Sequence, residues 1–236
     1  NVSFRYPDSR QDTLPGLSLT IPAGRAVCLA GPTGAGKSTT VDLLLGLLPP
    51  SAGGITVDDT LVTPGNLRAW QGNIGYVPQV IYLIDDTIAS NIALGTEPGD
   101  IDYLRLERAA RVAELHDFVV NELEAGYQTV VGERGARLSG GQRQRIGIAR
   151  ALYRDPAVLI LDEATNELDL ATEARILASL RALGGRTIVF VSHKPSVATT
   201  NSRLPAAGTA PCSRKPERQV LAMKIRRGSP ASRSRR

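Results

Sequence analysis

Residues 31–39 read GPTGAGKST, which matches the spacing G-x-x-x-x-G-K-[ST] throughout. Such a loop can wrap an oligophosphate. Gly31, Gly34 and Gly36 let backbone N–H groups close around phosphate oxygens without obstruction from a Cβ. Pro32, Thr33 and Ala35 complete the turn. A helix starting beyond it points its N-terminus at the same anion. Lys37 can reach the β- and γ-phosphates as a mobile charge, the Ser38 hydroxyl suits Mg²⁺, and Thr39 ends the motif. A second chemistry-bearing pair, Asp162 and Glu163, follows the apolar run AVLIL at 157–161. At the C-terminal end of a parallel strand, adjacent acids stand on the rim where ligands bind. Asp162, nearer the strand, suits the metal's coordination sphere, and Glu163 suits polarising a water for attack on a γ-phosphate.

These residues need elements that hold them. RAVCLA at 25–30 is a short apolar run that stops at Gly31, and a helix is expected from near Gly36 through VDLLLGLL to Pro49-Pro50. Leu17, Leu19 and Ile21 alternate as in a half-buried strand, and residues 55–57 and 73–77 read as further strands. From about residue 85 the pattern becomes helical, with Asp85, Asp86 and Asp100 as expected capping acids. The runs at 157–161 and 187–191 do not alternate, as in strands covered on both faces, and a helix is expected from about 170 to 183 between them. Strands alternating with helices predict an α/β fold: a phosphate-loop core with a mainly parallel sheet, an N-terminal antiparallel β subdomain, and a helical subdomain inserted at about 85–150.

The net charge of +5 is unevenly placed. Ten of the 28 Lys and Arg lie beyond residue 200, against a single acid there, Glu217, so the first 200 residues are net acidic. Basicity therefore belongs to the tail, and no nucleic-acid partner is expected. Two cysteines, Cys28 and Cys212, imply no disulfide framework. No apolar run is long enough to span a bilayer. Residues 1–199 are expected to form one domain and 200–236 a basic tail, disordered or non-native. Its Ser, Pro, Ala and Arg cannot bury enough apolar surface to offset ordering entropy.

Residues 138–142 read LSGGQ, followed by RQRIGIARAL. LSGGQ resembles the signature of the ABC ATPases. The resemblance implies ATP and Mg²⁺ as cofactors and places Ser139, Gly140, Gly141 and Gln142 against the γ-phosphate of ATP held by a second ABC ATPase domain. Two such domains, a homodimer here, would pair head to tail. Tyr6 in FRYP resembles the aromatic that stacks on adenine. Gln79 in GYVPQ resembles the glutamine that approaches Mg²⁺ and the attacking water and feels the membrane domain move. His193 in VFVSHK resembles the switch histidine on the γ-phosphate, and His116 reads as structural. TVVGERG at 129–135 resembles the stretch that exporters place against their membrane domains. The resemblance therefore implies an ATP-hydrolysing export motor at the cytoplasmic face of a membrane, joined to a fused or separate transmembrane partner. LRAWQGNIGYVPQ is similar to exporters of lipids, lipid-linked sugars or peptides. The alternatives are a soluble ABC ATPase acting on nucleic acid or ribosomes, or an inactive fragment damaged at its C-terminus. Lys37 and Ser139 stand only 102 positions apart, with no sustained heptads between them, unlike the DNA-repair type.

The sequence departs from the family pattern at two places. Residues 166–169 read NELD where a Ser-Ala-Leu-Asp-like turn is usual: Asp169 is kept, and Glu167 adds a charge near the expected dimer interface. After Thr199 the pattern is lost, which is expected of a shifted reading frame or a truncation.

Overall fold

The computed structural model describes residues 1–192 and the backbone of Ala222–Ile225. In chain order the elements are β1 (Val2–Phe4), β2 (Leu14–Leu17), β3 (Thr20–Ile21), β4 (Ala26–Ala30), α1 (Lys37–Leu44), β5 (Gly54–Val57), β6 (Thr60–Leu61) and α2 (Leu67–Gln71). Then come β7 (Ile74–Val77), α3 (Ile88–Ile92), α4 (Tyr103–Val112), α5 (His116–Glu122), α6 (Gly140–Tyr153), β8 (Val158–Asp162), α7 (Leu170–Ala182), β9 (Thr187–Ser192) and β10 (Ala222–Ile225). The chain divides into two units, Asn1–Gly72 with Gly185–Arg236, and Asn73–Gly184.

In the first unit β1 and β2 pair antiparallel, Val2 opposite Leu17 and Phe4 opposite Leu14. A small sheet runs β3-β10-β5-β6. β10 is parallel to both β3 and β5, while β6 returns antiparallel to β5. The strand β10 lies within the tail, whose other residues are outside the described ones. β4 pairs parallel with β9 from Ala26 opposite Ile188 to Ala30 opposite Ser192. Helix α1 stops at Leu44, well short of Pro49. Gly46 takes a left-handed backbone (φ 67°), and the N–H groups of Gly46 and Leu47 turn back onto the carbonyls of Leu43 and Asp42. That 6→1 and 5→2 pattern is a Schellman stop. The Trp70 indole N–H takes the Leu44 carbonyl at 2.7 Å, satisfying an acceptor the helix end leaves open.

In the second unit β7 and β8 pair parallel, Ile74 opposite Val158 and Val77 opposite Leu161. Val158 to Leu161 are all buried, as the unbroken apolar run requires. α6 packs against α3, α4 and β7. The approach to β7 is close: a Cβ at Gly75 would meet the Ala151 carbonyl at 2.5 Å. The helix caps lie one or two residues beyond the acids expected. Thr87 caps α3, accepting from the Ser90 N–H, and Asp102 caps α4, accepting from Leu104 and Arg105. Asp100 is instead taken into a short 3-10 turn that Pro98 starts. A cap must sit in extended backbone immediately before the first turn, and Thr87 and Asp102 both do so.

Candidate functional site

The glycine-rich loop leaves β4 at Gly31 and enters α1 at Lys37. Its turns rest on backbone that favours glycine. Gly34 and Gly36 have φ of 84° and 82°, and a Cβ at Gly36 would stand 2.5 Å from Leu14 Cδ2. Gly36 caps α1 with no side-chain hydrogen bond, and no acid lies in the first turn, so the helix N-terminus is furnished for an incoming anion. Lys37 Nζ donates to the carbonyls of Gly31 (2.7 Å) and Pro32 (2.9 Å), which holds its charge along the loop. Ser38 follows within the first turn. Tyr6 is partly exposed; its hydroxyl is 3.2 Å from Thr39 Oγ1, and its ring meets Phe4 edge-on at 4.8 Å. Thus Tyr6 and the expected phosphate loop are brought together within one unit. Ser192, the last residue of β9, lies opposite Ala30, immediately before Gly31. His193, the expected switch histidine, lies outside the described residues.

The second unit carries the carboxylates. Register places Val77 opposite Leu161, so Gln79 and Glu163 leave the sheet at the same level. Gln79 Nε2 donates to Glu163 Oε2 at 3.1 Å, and Asn166 Nδ2 donates to the same oxygen at 2.9 Å. Glu163 itself has a left-handed backbone, φ 50°, an uncommon and costly state for a residue with a Cβ. Asp162 ends β8 and accepts from the Tyr76 hydroxyl at 3.4 Å. Among the described residues no group of three or more His, Cys, Asp or Glu could hold a metal by itself. Within the second unit the Asp162 carboxylate and the Gln79 amide supply hard oxygen donors, as the Ser38 hydroxyl does within the first. Oxygen donors of this kind suit Mg²⁺, which takes few protein ligands and completes its shell with water and phosphate.

The signature segment opens α6. Ser139 caps the helix by accepting from the Gln142 N–H at 3.2 Å, while Gln142 Oε1 accepts from the Ser139 N–H at 2.7 Å. This reciprocal capping box fixes the turn. Gly140 faces Glu167: a Cβ at Gly140 would overlap the Glu167 carboxylate, and Arg143 Nη2 is 4.0 Å from it. The charge added at Glu167 therefore lies directly against the signature turn.

The residues after Gln79 had no role in the sequence reading beyond that glutamine. In the structure they form a ledge on α6. Ile81 and Leu83 are buried, and a Cβ at Gly147 would overlap Ile81, so α6 receives the segment through a missing side chain. Val80, Tyr82 and Ile84 alternate with these and are exposed, Tyr82 by 74%. Fully buried Asn91 exchanges hydrogen bonds with Ile84 N–H and C=O, both at 3.0 Å, and donates to the Thr87 carbonyl at 3.0 Å. Arg150 donates to the Asn91 and Tyr82 carbonyls at 2.8 and 2.9 Å, and burial pushes its guanidinium pKa down. The 129–135 stretch joins the same ledge. Ile88 N–H meets the Thr129 carbonyl at 3.0 Å and Val131 N–H meets the Asp86 carbonyl at 3.0 Å. Asn91 carries no motif of its own. Arg150, inside RQRIGIARAL, is one of several arginines along α6, and nothing in the sequence marks it out from them. His116 lies between Arg111 and Tyr127, both at 2.9 Å. Arg111 can only donate, so Nε2 accepts and Nδ1–H donates to Tyr127, a wiring that ties α4 to α5.

With this geometry in place, comparison with known proteins decides the family. The family profile described as ABC transporter matches residues 14–166. The chain belongs to the ABC transporter family. It is 46% identical over 198 residues to the mouse (Mus musculus) protein "ATP-binding cassette sub-family B member 5", covering 83% of this chain and 16% of that protein. It is 41% identical over 205 residues to the "ATP-dependent lipid A-core flippase" of Cupriavidus pinatubonensis, covering 86% and 35%. A bacterial Atm1-family ABC exporter solved with ATP bound matches at a TM-score of 0.76 and 40% identity, covering 83% of this chain and 34% of that one. The chain thus spans about a third or less of the length of these relatives. It is an ABC ATPase domain homologous to the nucleotide-binding domains of ABC exporters, with the mixed α/β fold expected from its sequence. Among the described residues no helix is long and apolar enough to cross a membrane.

Proposed function

We propose that this ABC ATPase domain is the motor of a membrane exporter, working at the cytoplasmic face as a head-to-tail pair. The observation that carries the reading is the Gln79–Glu163 hydrogen bond. Gln79 touches the expected catalytic carboxylate, and its own chain runs on into the ledge of exposed Val80, Tyr82 and Ile84. Chemistry and an apolar contact surface are therefore joined by one short segment. A transmembrane domain, fused or separate, is the partner that surface suits, with Val130 of the adjoining stretch also exposed.

In this reading the glycine-rich loop and Lys37 hold the β- and γ-phosphates, and Tyr6 faces the base. Ser38, Asp162 and Gln79 supply the protein oxygens for Mg²⁺, which when bound neutralises phosphate charge. Glu163 orients a water and takes its proton as the water oxygen bonds to the γ-phosphorus. The bond from that phosphorus to the β–γ bridging oxygen breaks, and ADP and phosphate leave. Ser139, Gly140 and Gly141 of the second domain close on the γ-phosphate, and His193 completes the contact. Nucleotide binding then drives pairing, and product release reverses it.

Glu163→Gln tests this. It should bind ATP with unchanged affinity, lose turnover by about a hundredfold or more, and accumulate as an ATP-dependent dimer in sedimentation. Undiminished hydrolysis would remove Glu163 from its role.

A further inference from the structure

Asn166 is bonded to Glu163 at both ends. Its backbone N–H reaches the Glu163 carbonyl at 3.2 Å, and its side-chain amide reaches Glu163 Oε2 at 2.9 Å. A carboxylate only accepts, so the amide must present nitrogen, as Gln79 does to the same oxygen at 3.1 Å. The two amides come from different directions: Gln79 from the end of β7, Asn166 from the turn that follows β8. Between them they fix both the position and the rotation of the carboxylate. The Glu163 backbone needs that help. Its left-handed φ of 50° is intrinsically unfavourable and must be held by its surroundings.

We propose that Asn166 is a positioning residue for ATP hydrolysis, holding the Glu163 carboxylate in line for the attacking water through its side-chain amide. The inference rests on the role proposed for Glu163. It concerns the departure NELD, whose first residue supplies an amide N–H three positions after the acid it steadies. Asn166 is exposed, so replacing it leaves folding intact and isolates the effect on chemistry. Misalignment of a catalytic group costs rate and leaves ground-state binding alone.

The test compares Asn166→Ala and Asn166→Asp with wild type in the full chain, measuring steady-state ATP hydrolysis, fluorescent-nucleotide affinity and melting temperature. Asp has the shape of Asn without the N–H, so a packing role would tolerate it and a donor role would not. Both variants should lose about tenfold in kcat, with Asp at least as poor as Ala, while KM for ATP, nucleotide affinity and melting temperature stay put. Asn166→Gln, which keeps an amide donor on a longer arm, should recover part of the loss. If Glu163→Gln abolishes turnover but both Asn166 variants match wild type, this inference is overturned and the Glu163 assignment stands. If Glu163→Gln retains full turnover, both fall. A readout independent of turnover is the Asn166 side-chain amide signal in ¹H–¹⁵N spectra. It should shift when Glu163 becomes Gln, and an unmoved signal refutes the contact.

Discussion

Lys37 reaches two loop carbonyls, Gly31 and Pro32, and so carries its charge along the loop that phosphate would enter. Lys37→Ala should weaken nucleotide binding by about tenfold or more, since one charge-assisted contact is worth about 1.5–3 kcal/mol, as fluorescent-ATP titration would show. Glu167 calls for the opposite expectation. Its carboxylate rests against Gly140 at the α6 N-terminus, which favours an anion and would serve an opposing γ-phosphate. Glu167→Ala should therefore tighten ATP-dependent dimerisation of the Glu163→Gln background by several-fold at low salt, with the gain shrinking as salt screens it. Sedimentation across a salt series reads both effects. Much at this scale was legible beforehand. The loop glycines, Lys37 and the Asp162-Glu163 pair announce themselves by type and spacing next to an apolar run. The charge at Glu167 was also visible, but its contact with Gly140 was not. Nor was the left-handed Glu163 backbone, because glutamate gives no sign of it and only the turn closed by Asn166 imposes it.

Elements were read well where a buried strand or a strong cap governed them. β8 and β9 match their apolar runs, and α7 begins after Asp169, whose side chain accepts from the Thr172 N–H at 2.9 Å. That backbone bond, with Thr172's hydroxyl, holds the Asp169 carboxyl below the usual value of 3.8. A depressed folded value means the cap contributes fully above the unfolded pKa and is lost as pH falls through the folded one. Chemical denaturation of wild type and Asp169→Ala should differ at neutral pH and converge as pH falls below 3.8. The capping box of α6 gives a second case. Ser139→Ala should cost about 1 kcal/mol of stability and should reduce turnover by more than that loss explains. Boundaries misread from sequence, such as the end of α1, were set by long-range partners. Trp70 and Leu67 approach Leu44 and Gly46 from α2, and no window around residue 45 contains them. The same holds for the ledge after Gln79. Asn91→Ala would strand the Ile84 and Thr87 backbone groups it serves and should destabilise by about 2 kcal/mol or more in denaturant titration.

For the whole molecule, the charge division along the chain and the fold agree in part. The acidic first 200 residues carry the described phosphate loop, carboxylates and signature, and the basic remainder was expected to stand apart. Yet β10 lies between β3 and β5, in parallel with each. Composition concealed this because four residues in a basic, proline-containing stretch give no period to read. The placement has a practical outcome for anyone shortening the protein. A version cut near residue 200 loses the middle ribbon of that sheet and leaves two bare rows of amide and carbonyl groups facing one another across a gap, the kind of surface that recruits neighbours edge to edge.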